Sequence, residues 1–268
     1  MSQTIFITGA SSGLGEATVN LFAMNGWTVL AAMRNPEEHT SFFGMDNIHL
    51  VKLDVTNPDQ ILDIVAEAES ISPVDVLFNN AGYALAGPLE GMSDEQLEKQ
   101  LNTNFLSSLR LTRAFLPYFR SRSHGTIINT TSLGAYIPNP LLAVYGATKA
   151  ALTSWTEGMY FELSPFGIVM KTVVPGLMRT SFAENAQIAT HPDYQEQVNN
   201  VLTLFSSAKM VAAADHPNDI AAVVFEAATD NKKQLRYFAG KDAMTKAAWL
   251  EKEGKEAVMA ATEQYFFG

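Results

Sequence analysis

Tyr145 and Lys149 stand four residues apart in a segment of helical period, so both side chains project from one face of a helix. A phenol titrates near about 10 in water and is a poor acid/base partner at neutral pH. A neighbouring ammonium favours the phenolate, and drawing the pKa towards neutrality takes about 4 kcal/mol of differential stabilisation. Taken alone, such a pair is more often a plain surface contact, so its surroundings decide its meaning. Ser132 lies thirteen residues earlier, just beyond the strand-like run Thr126–Thr130. Near the start, Thr8-Gly9-Ala10-Ser11-Ser12-Gly13-Leu14-Gly15 joins a strand pattern to a helix pattern. Glycines there let the backbone turn sharply and approach a pyrophosphate, whose charge then sits on the free N–H groups of the helix start. The spacing, G-x3-G-x-G, is not the G-x-G-x-x-G of the common dinucleotide fingerprint, and tight turns use glycine for other reasons too. Asn79-Asn80-Ala81-Gly82 closes a further apolar run, Val76–Phe78.

These residues need a scaffold that brings strand ends together. Short β-branched runs at Thr4–Thr8, Thr28–Met33, His49–Leu53, Val76–Phe78, Thr126–Thr130, Val169–Val174 and Leu235–Ala239 alternate with helical segments. The helices are expected at Leu14–Asn25, Pro58–Glu69, Asp94–Phe119, Leu142–Leu163 and Asn218–Ala228. Pro58, Asp94 and Asn218 suit helix N-termini, and Gly26 suits the stop after the first helix. The alternation predicts an α/β fold: a doubly wound, mostly parallel seven-stranded sheet with helices on both faces. In such a sheet ligands gather at the C-terminal strand ends, where the glycine turn, Asn79–Gly82 and Ser132 all fall. One domain is expected over residues 1–268. Gly176–Pro217 is the long stretch without a clear strand, a place for a lid or helices of its own. Residues 241–268 form a C-terminal extension.

In this order the motifs T-G-x3-G-x-G, N-N-A-G, Ser132, Y-x-x-x-K and Pro175-Gly176 resemble the single-domain branch of the short-chain dehydrogenase/reductase family, from Thr8 to about Gly240. The resemblance implies a Rossmann-type fold and hydride transfer between a nicotinamide cofactor and an alcohol or carbonyl. It implies that Tyr145 protonates the carbonyl oxygen in reduction and deprotonates the alcohol in oxidation. Ser132 then orients that oxygen, and Lys149 holds the nicotinamide ribose and lowers the Tyr145 pKa. Asn104 corresponds to the family's helix asparagine, which holds a water in a proton relay to Lys149; Asn102 is the competing register, and Phe-Leu-Ser after Asn104 favours the latter. Asp54-Val55 resembles the adenine-contacting pair, with an Asx-turn as the structural alternative. Pro175, Gly176 and Thr180 resemble the segment that fixes the nicotinamide carboxamide, a plain turn being the alternative. Gly9, Ser11, Ser12, Gly13, Leu14, Gly15, Asn79, Ala81 and Gly82 complete the expected cofactor contacts.

Cofactor choice is read at the end of the second strand. NAD users usually offer a carboxylate to the ribose 2′-OH about 20 residues after the glycines. Here that place reads Ala31-Ala32-Met33-Arg34-Asn35. Arg34 suits a 2′-phosphate, with Ser11 or Ser12 as further donors, so NADP(H) is expected over NAD(H).

Other chemistries find no support. The five histidines form no H-E-x-x-H pair and cysteine is absent, so no metal site is expected. Thr130 stands where a G-x-S-x-G nucleophile elbow would carry glycine. A non-catalytic dinucleotide sensor on the same fold is the alternative class, but such proteins typically lose the tyrosine or lysine. A net charge of −10 repels nucleic acid and anionic membranes. Apolar runs fall well short of ~18 residues, so no membrane span is expected. Ser2–Ile7 runs straight into a strand pattern, so no secretory leader is expected and the location is read as cytoplasmic. Leu177, Met178, Phe182, Tyr194, Leu202, Leu204 and Phe205 in the stretch Gly176–Pro217 suit a hydrophobic or mid-sized small-molecule substrate, packing of the stretch's own helices onto the domain being the equal alternative, and Tyr83, Leu85, Tyr136 and Leu141 are candidates for the pocket lining. Small residues in two helices (Ser107, Ser108, Ala147, Ala150, Ala151, Ser154) permit close packing, and the resemblance implies a homodimer or homotetramer.

Overall fold

A computed structural model describes residues 2–42 and 44–268. Seven strands form one sheet: β1 (Thr4–Thr8), β2 (Thr28–Met33), β3 (Ile48–Lys52), β4 (Val76–Asn79), β6 (Gly125–Thr130), β7 (Ile168–Pro175) and β9 (Arg236–Ala239). Their order is β3-β2-β1-β4-β6-β7-β9, and every neighbouring pair is parallel. The expected doubly wound sheet is therefore present, with strand ends shifted by a residue or so. All five residues of β1 are buried, as a parallel strand covered on both faces requires.

Alternate residues of each strand feed two apolar layers. Ile5, Ile7, Val29, Ala31, Phe78 and Val173 pack against α1 (Gly13–Met24) and α8 (Pro217–Thr229). Phe6, Leu30, Leu77, Ile127 and Met170 pack on the other face against α2 (Pro58–Ile71) and α4 (Ser107–Arg122). The order reverses at β1, whose neighbours β2 and β4 lead to opposite halves, so a crevice opens beyond the C-terminal ends of β1 and β4.

Capping explains where the helices begin. Asn57 accepts from the Asp59 and Gln60 amides ahead of Pro58, and Ser93 with Gln96 forms a reciprocal capping box at α3 (Asp94–Leu101). His216 caps α8, with Pro217 in its first turn and Asn218 one residue further in. The sequence reading of one helix over Asp94–Phe119 is corrected. After α3 a π-helical turn occupies Asn102–Leu106, and α4 then runs on to Arg122. The wide turn places Asn104 inward, where it is buried and hydrogen-bonded.

α5 (Ala143–Leu163) carries Tyr145 and Lys149. The stretch after β7 holds a two-residue strand, β8 (Gln187–Ile188), and two helices, α6 (Gln195–Phe205) and α7 (Ala208–Ala213). β8 pairs with β5 (Leu85–Ala86), and a bridge between Met178 and Asp215 ties the two feet of the lid together. The C-terminal extension is helical: α9 (Lys241–Glu253), a glycine turn at Gly254, and α10 (Lys255–Phe267). Beneath the sheet's far edge, Lys171 donates to Asp230 Oδ1 (2.7 Å) and to the Ala227 carbonyl (2.7 Å). Tyr237 donates to Asp230 Oδ2 (2.7 Å), which completes a buried ion pair joining β7, α8 and β9.

Candidate active site

The crevice is a cleft of about 1500 Å³ above the strand ends, reaching from the glycine turn to the lid. At its floor, the loop between β1 and α1 is locked by side chains. Thr8 Oγ1 accepts from the Asn80 and Ala81 amides (2.9 and 3.0 Å), and Asn80 Nδ2 donates back to the Thr8 carbonyl (3.0 Å). A Cβ at Gly15 would run into the Gly9 carbonyl, so only glycine lets the helix start come this close to the strand end. Gly13 has φ +56°, and a Cβ there would press on Thr180 at 3.2 Å. The side chain of Ser12, the residue preceding α1, makes no capping hydrogen bond. Free helix-start amides, a tight glycine cradle and uncommitted serines together fit an anionic dinucleotide phosphate.

Ser132 follows β6 in extended conformation, and its Oγ accepts from the Gly134 amide at 3.0 Å. Tyr145 is buried, and that burial pushes its pKa above the usual phenol value, while the neighbouring Ser132 hydroxyl pulls the other way. Lys149 is buried as well. Its Nζ donates to the Thr130 carbonyl at 2.8 Å, and desolvation lowers its pKa from 10.5 to about 8. The expected lowering of the phenol pKa is therefore not what this geometry gives: the ammonium is engaged with a backbone carbonyl, and burial dominates the tyrosine.

Asn104 grips the chain just after Gly82. Its Oδ1 accepts from the Tyr83 amide (3.1 Å) and its Nδ2 donates to the Tyr83 carbonyl (2.9 Å). A Cβ placed on Gly82 would lie 3.1 Å from Asn104 Oδ1 and 3.5 Å from Lys149 Nζ, so the three meet around one bare backbone position.

Most sequence-derived candidates converge on this cleft. Gly9, Ser11, Ser12, Gly13, Leu14, Arg34, Asp54, Val55, Ala81, Gly82, Ser132, Tyr145, Lys149, Pro175, Gly176 and Thr180 line it. Gly15, Asn79 and Asn104 stand behind the wall. Asn79 is turned into the sheet, donating to Asn129 Oδ1 (2.9 Å), and Asn129 in turn donates to Thr156 (2.8 Å). Asp54 closes the Asx-turn weighed against the adenine reading, accepting from the Thr56 amide and hydroxyl (2.9 and 2.7 Å), while still facing the cleft. These hydrogen bonds, with Arg34 nearby, overcome its partial burial and hold the carboxyl below its usual range. Arg34 is exposed and forms no ion pair among the described residues. Of the expected apolar lining, Tyr83, Leu141, Leu177, Met178, Phe182, Leu202 and Phe205 reach the cleft; Leu85, Tyr136, Tyr194 and Leu204 do not. Phe182 stands edge-on to Tyr145, ring centroids 5.9 Å apart.

Sequence reasoning missed Thr8 and Asn80, which lock the glycine loop. The threonine before the first glycine and the second asparagine of the pair were visible, but nothing local shows that they bond to each other.

A doubly wound sheet with a glycine-lined crevice and a serine, tyrosine and lysine gathered over it defines a dinucleotide-dependent oxidoreductase. The chain matches the short chain dehydrogenase family over residues 3–190, and it belongs to that family of enzymes acting on CH–OH groups. An uncharacterized oxidoreductase of Schizosaccharomyces pombe is 33% identical over 238 residues, which is 88% of this chain and 100% of that protein. A 3-ketodihydrosphingosine reductase of Bacteroides thetaiotaomicron is 32% identical over 227 residues, 83% of this chain and 82% of the relative. Among solved structures, a short-chain dehydrogenase from Streptomyces avermitilis superposes with a TM-score of 0.81 at 31% identity, covering 94% of this chain and 95% of that one. A short-chain dehydrogenase from Burkholderia cenocepacia in complex with NADP gives 0.78 at 25% identity, with 97% of each chain covered. No helix among the described residues is long and apolar enough to cross a membrane.

Proposed function

We propose that this chain is an NADP(H)-dependent oxidoreductase that interconverts a secondary alcohol and a ketone or aldehyde, with Tyr145 as general acid/base. The observation that carries the reading is the convergence of Ser132, Tyr145 and Lys149 on one cleft with the glycine cradle. The Gly9–Gly15 turn and the first amides of α1 would hold the pyrophosphate, Asp54 and Val55 the adenine side, and Lys149 the ribose hydroxyls. Ala81 and Gly82 would border the nicotinamide ribose, and Pro175, Gly176 and Thr180 the carboxamide. Asn79 and Asn104 serve from behind, by holding the strand end and the Tyr83 backbone. When bound, the nicotinamide supplies or accepts a hydride at the substrate carbon.

Tyr145 passes its phenolic proton to the carbonyl oxygen in reduction and takes it back in oxidation, contributing about 10²–10⁴-fold. Ser132 hydrogen-bonds the same oxygen and fixes its distance from the phenol. Arg34 faces the cleft without an ion-pair partner among the described residues, which suits a 2′-phosphate, and the NADP complex of the Burkholderia relative supports the same preference. The chain is read as one domain working in the cytoplasm. A homodimer or homotetramer would use α5, where Ala147 and Ser154 are exposed; Ser107 and Ser108 are already buried within the chain.

The test is fluorescence titration with NADPH and NADH, for the wild type and Arg34→Ala. Charge-assisted hydrogen bonds contribute roughly 1.5–3 kcal/mol, so NADPH binding should weaken about tenfold or more while NADH binding stays unchanged. NADH affinity equal to or above that of NADPH in the wild type would remove the NADP(H) assignment.

A further inference from the structure

The two helices α6 and α7 show one chemical face to the cleft. Every residue that α6 and α7 contribute to the wall is apolar: Val198, Val201, Leu202, Phe205, Met210 and Val211. In α6 these fall at intervals of three and four residues, so a single stripe is turned inward, and none of the helix's Gln, Glu, Asn or Thr side chains reaches the wall. The stripe is continuous with the reacting centre through Phe182, whose ring is in edge contact with Tyr145.

The charged groups of that wall are already matched within the protein. Arg179 donates to the carbonyls of Ala214 (2.9 Å) and Ala212 (3.3 Å). Asp242 accepts from the Leu177 amide (3.1 Å) and pairs with Lys246 (3.0 Å). Glu184 stands on the exposed rim. The wall built by α6 and α7 therefore offers a substrate apolar surface, with the Glu184 carboxylate kept to the rim.

Its depth is set from behind by the C-terminal extension. Phe205 lines the arm, and its outer side rests on Phe266 of α10, with ring centroids 5.7 Å apart. Phe266 is itself buried.

On the proposed carbonyl/alcohol activity, we infer that the substrate carries its reacting carbonyl on an unbranched alkyl chain. The chain lies along the Phe182–Val201–Phe205 wall, and the Phe205–Phe266 contact closes the end. From Val198 to Phe205 the helix rises about 10 Å. A zigzag of 1.5 Å bonds advances about 1.25 Å per carbon, so the wall matches roughly eight carbons.

The experiment titrates a series of 2-alkanones, from six to sixteen carbons, into the protein saturated with NADP⁺, where reduction cannot proceed, and into the protein alone. NADPH oxidation by the same ketones is followed in parallel. Affinity should rise about fourfold per methylene and then level off once the wall is filled. Val211→Glu, at an exposed position on the arm's wall, should flatten that rise. Phe266→Ala should move the plateau to longer chains. Affinity independent of chain length, or a rise untouched by Val211→Glu, would overturn the inference. If ketones are reduced without chain-length dependence, the activity stands and the alkyl arm falls. If long ketones bind the protein alone but neither dinucleotide binds, the arm stands and the proposed oxidoreductase activity falls.

Discussion

Replacing Lys149 with Met tests whether the site holds a charge that the fold disfavours. Lys149 is almost fully buried, with one carbonyl as its hydrogen-bond partner, and desolvation brings its pKa from 10.5 to about 8. In the unfolded chain the lysine keeps its proton up to about 10.4, whereas in the folded protein it releases it near 8. Above pH 8 the unfolded state therefore binds more protons, and stability must rise with pH. At about 1.36 kcal/mol per pH unit, this one residue should add roughly 2–3 kcal/mol between pH 7 and pH 10. Urea denaturation of the wild type and Lys149→Met at pH 7, 8, 9 and 10 isolates that increment, because other titrating groups cancel in the difference. The wild type should gain on the variant by that amount across the series, and the variant should lose dinucleotide affinity at pH 7. A stability difference constant to within about 0.5 kcal/mol from pH 7 to pH 10 would refute the reasoning, since the lysine would then be titrating as in water.

Two further outcomes follow from the same geometry. Tyr145→Phe keeps the ring against Phe182 but removes the transferable proton, so turnover should fall about 10²–10⁴-fold with NADPH affinity unchanged in a fluorescence titration. Lys171→Met takes the buried cation from Asp230 and leaves it the Tyr237 hydroxyl and the Lys232 amide, so it should cost about 3 kcal/mol in chemical denaturation, part of it recovered when Asp230→Leu is added.

The strands were legible because a parallel sheet covered on both faces needs unbroken apolar runs, and Thr4–Thr8 and Thr28–Met33 are such runs. Most of the candidate site was legible because glycines, Ser132 and Tyr145/Lys149 sit at strand ends or one helical turn apart, which are local spacings. What could not be read depends on contacts between distant residues. β5 and β8 are two residues each, too short for any periodicity, and exist only because they pair with each other. The π-turn at Asn102–Leu106 lies inside a good helical pattern, and only the bonds from Asn104 to Tyr83 give the wide turn a reason. The inward turn of Asn79 depends on Asn129, fifty residues away. The upward-shifted phenol came out opposite to expectation because the Lys149 ammonium is engaged with the Thr130 carbonyl, nineteen residues away in the chain, and burial of the phenol itself dominates.

The Met178–Asp215 bridge, with the Asp215 amide donating to the Leu177 carbonyl and the Arg179 amide to the Asp215 carbonyl (both 2.9 Å), makes the lid a loop zipped shut at its base. Closure entropy grows only slowly with length, by about 0.6 kcal/mol for each doubling. Residues between the two feet are thus free to lengthen, shorten or change composition with little consequence for the sheet, provided the short β5–β8 pairing is kept. The base of the loop is thus held by its own three backbone links, and the sheet does not depend on what the chain between them carries.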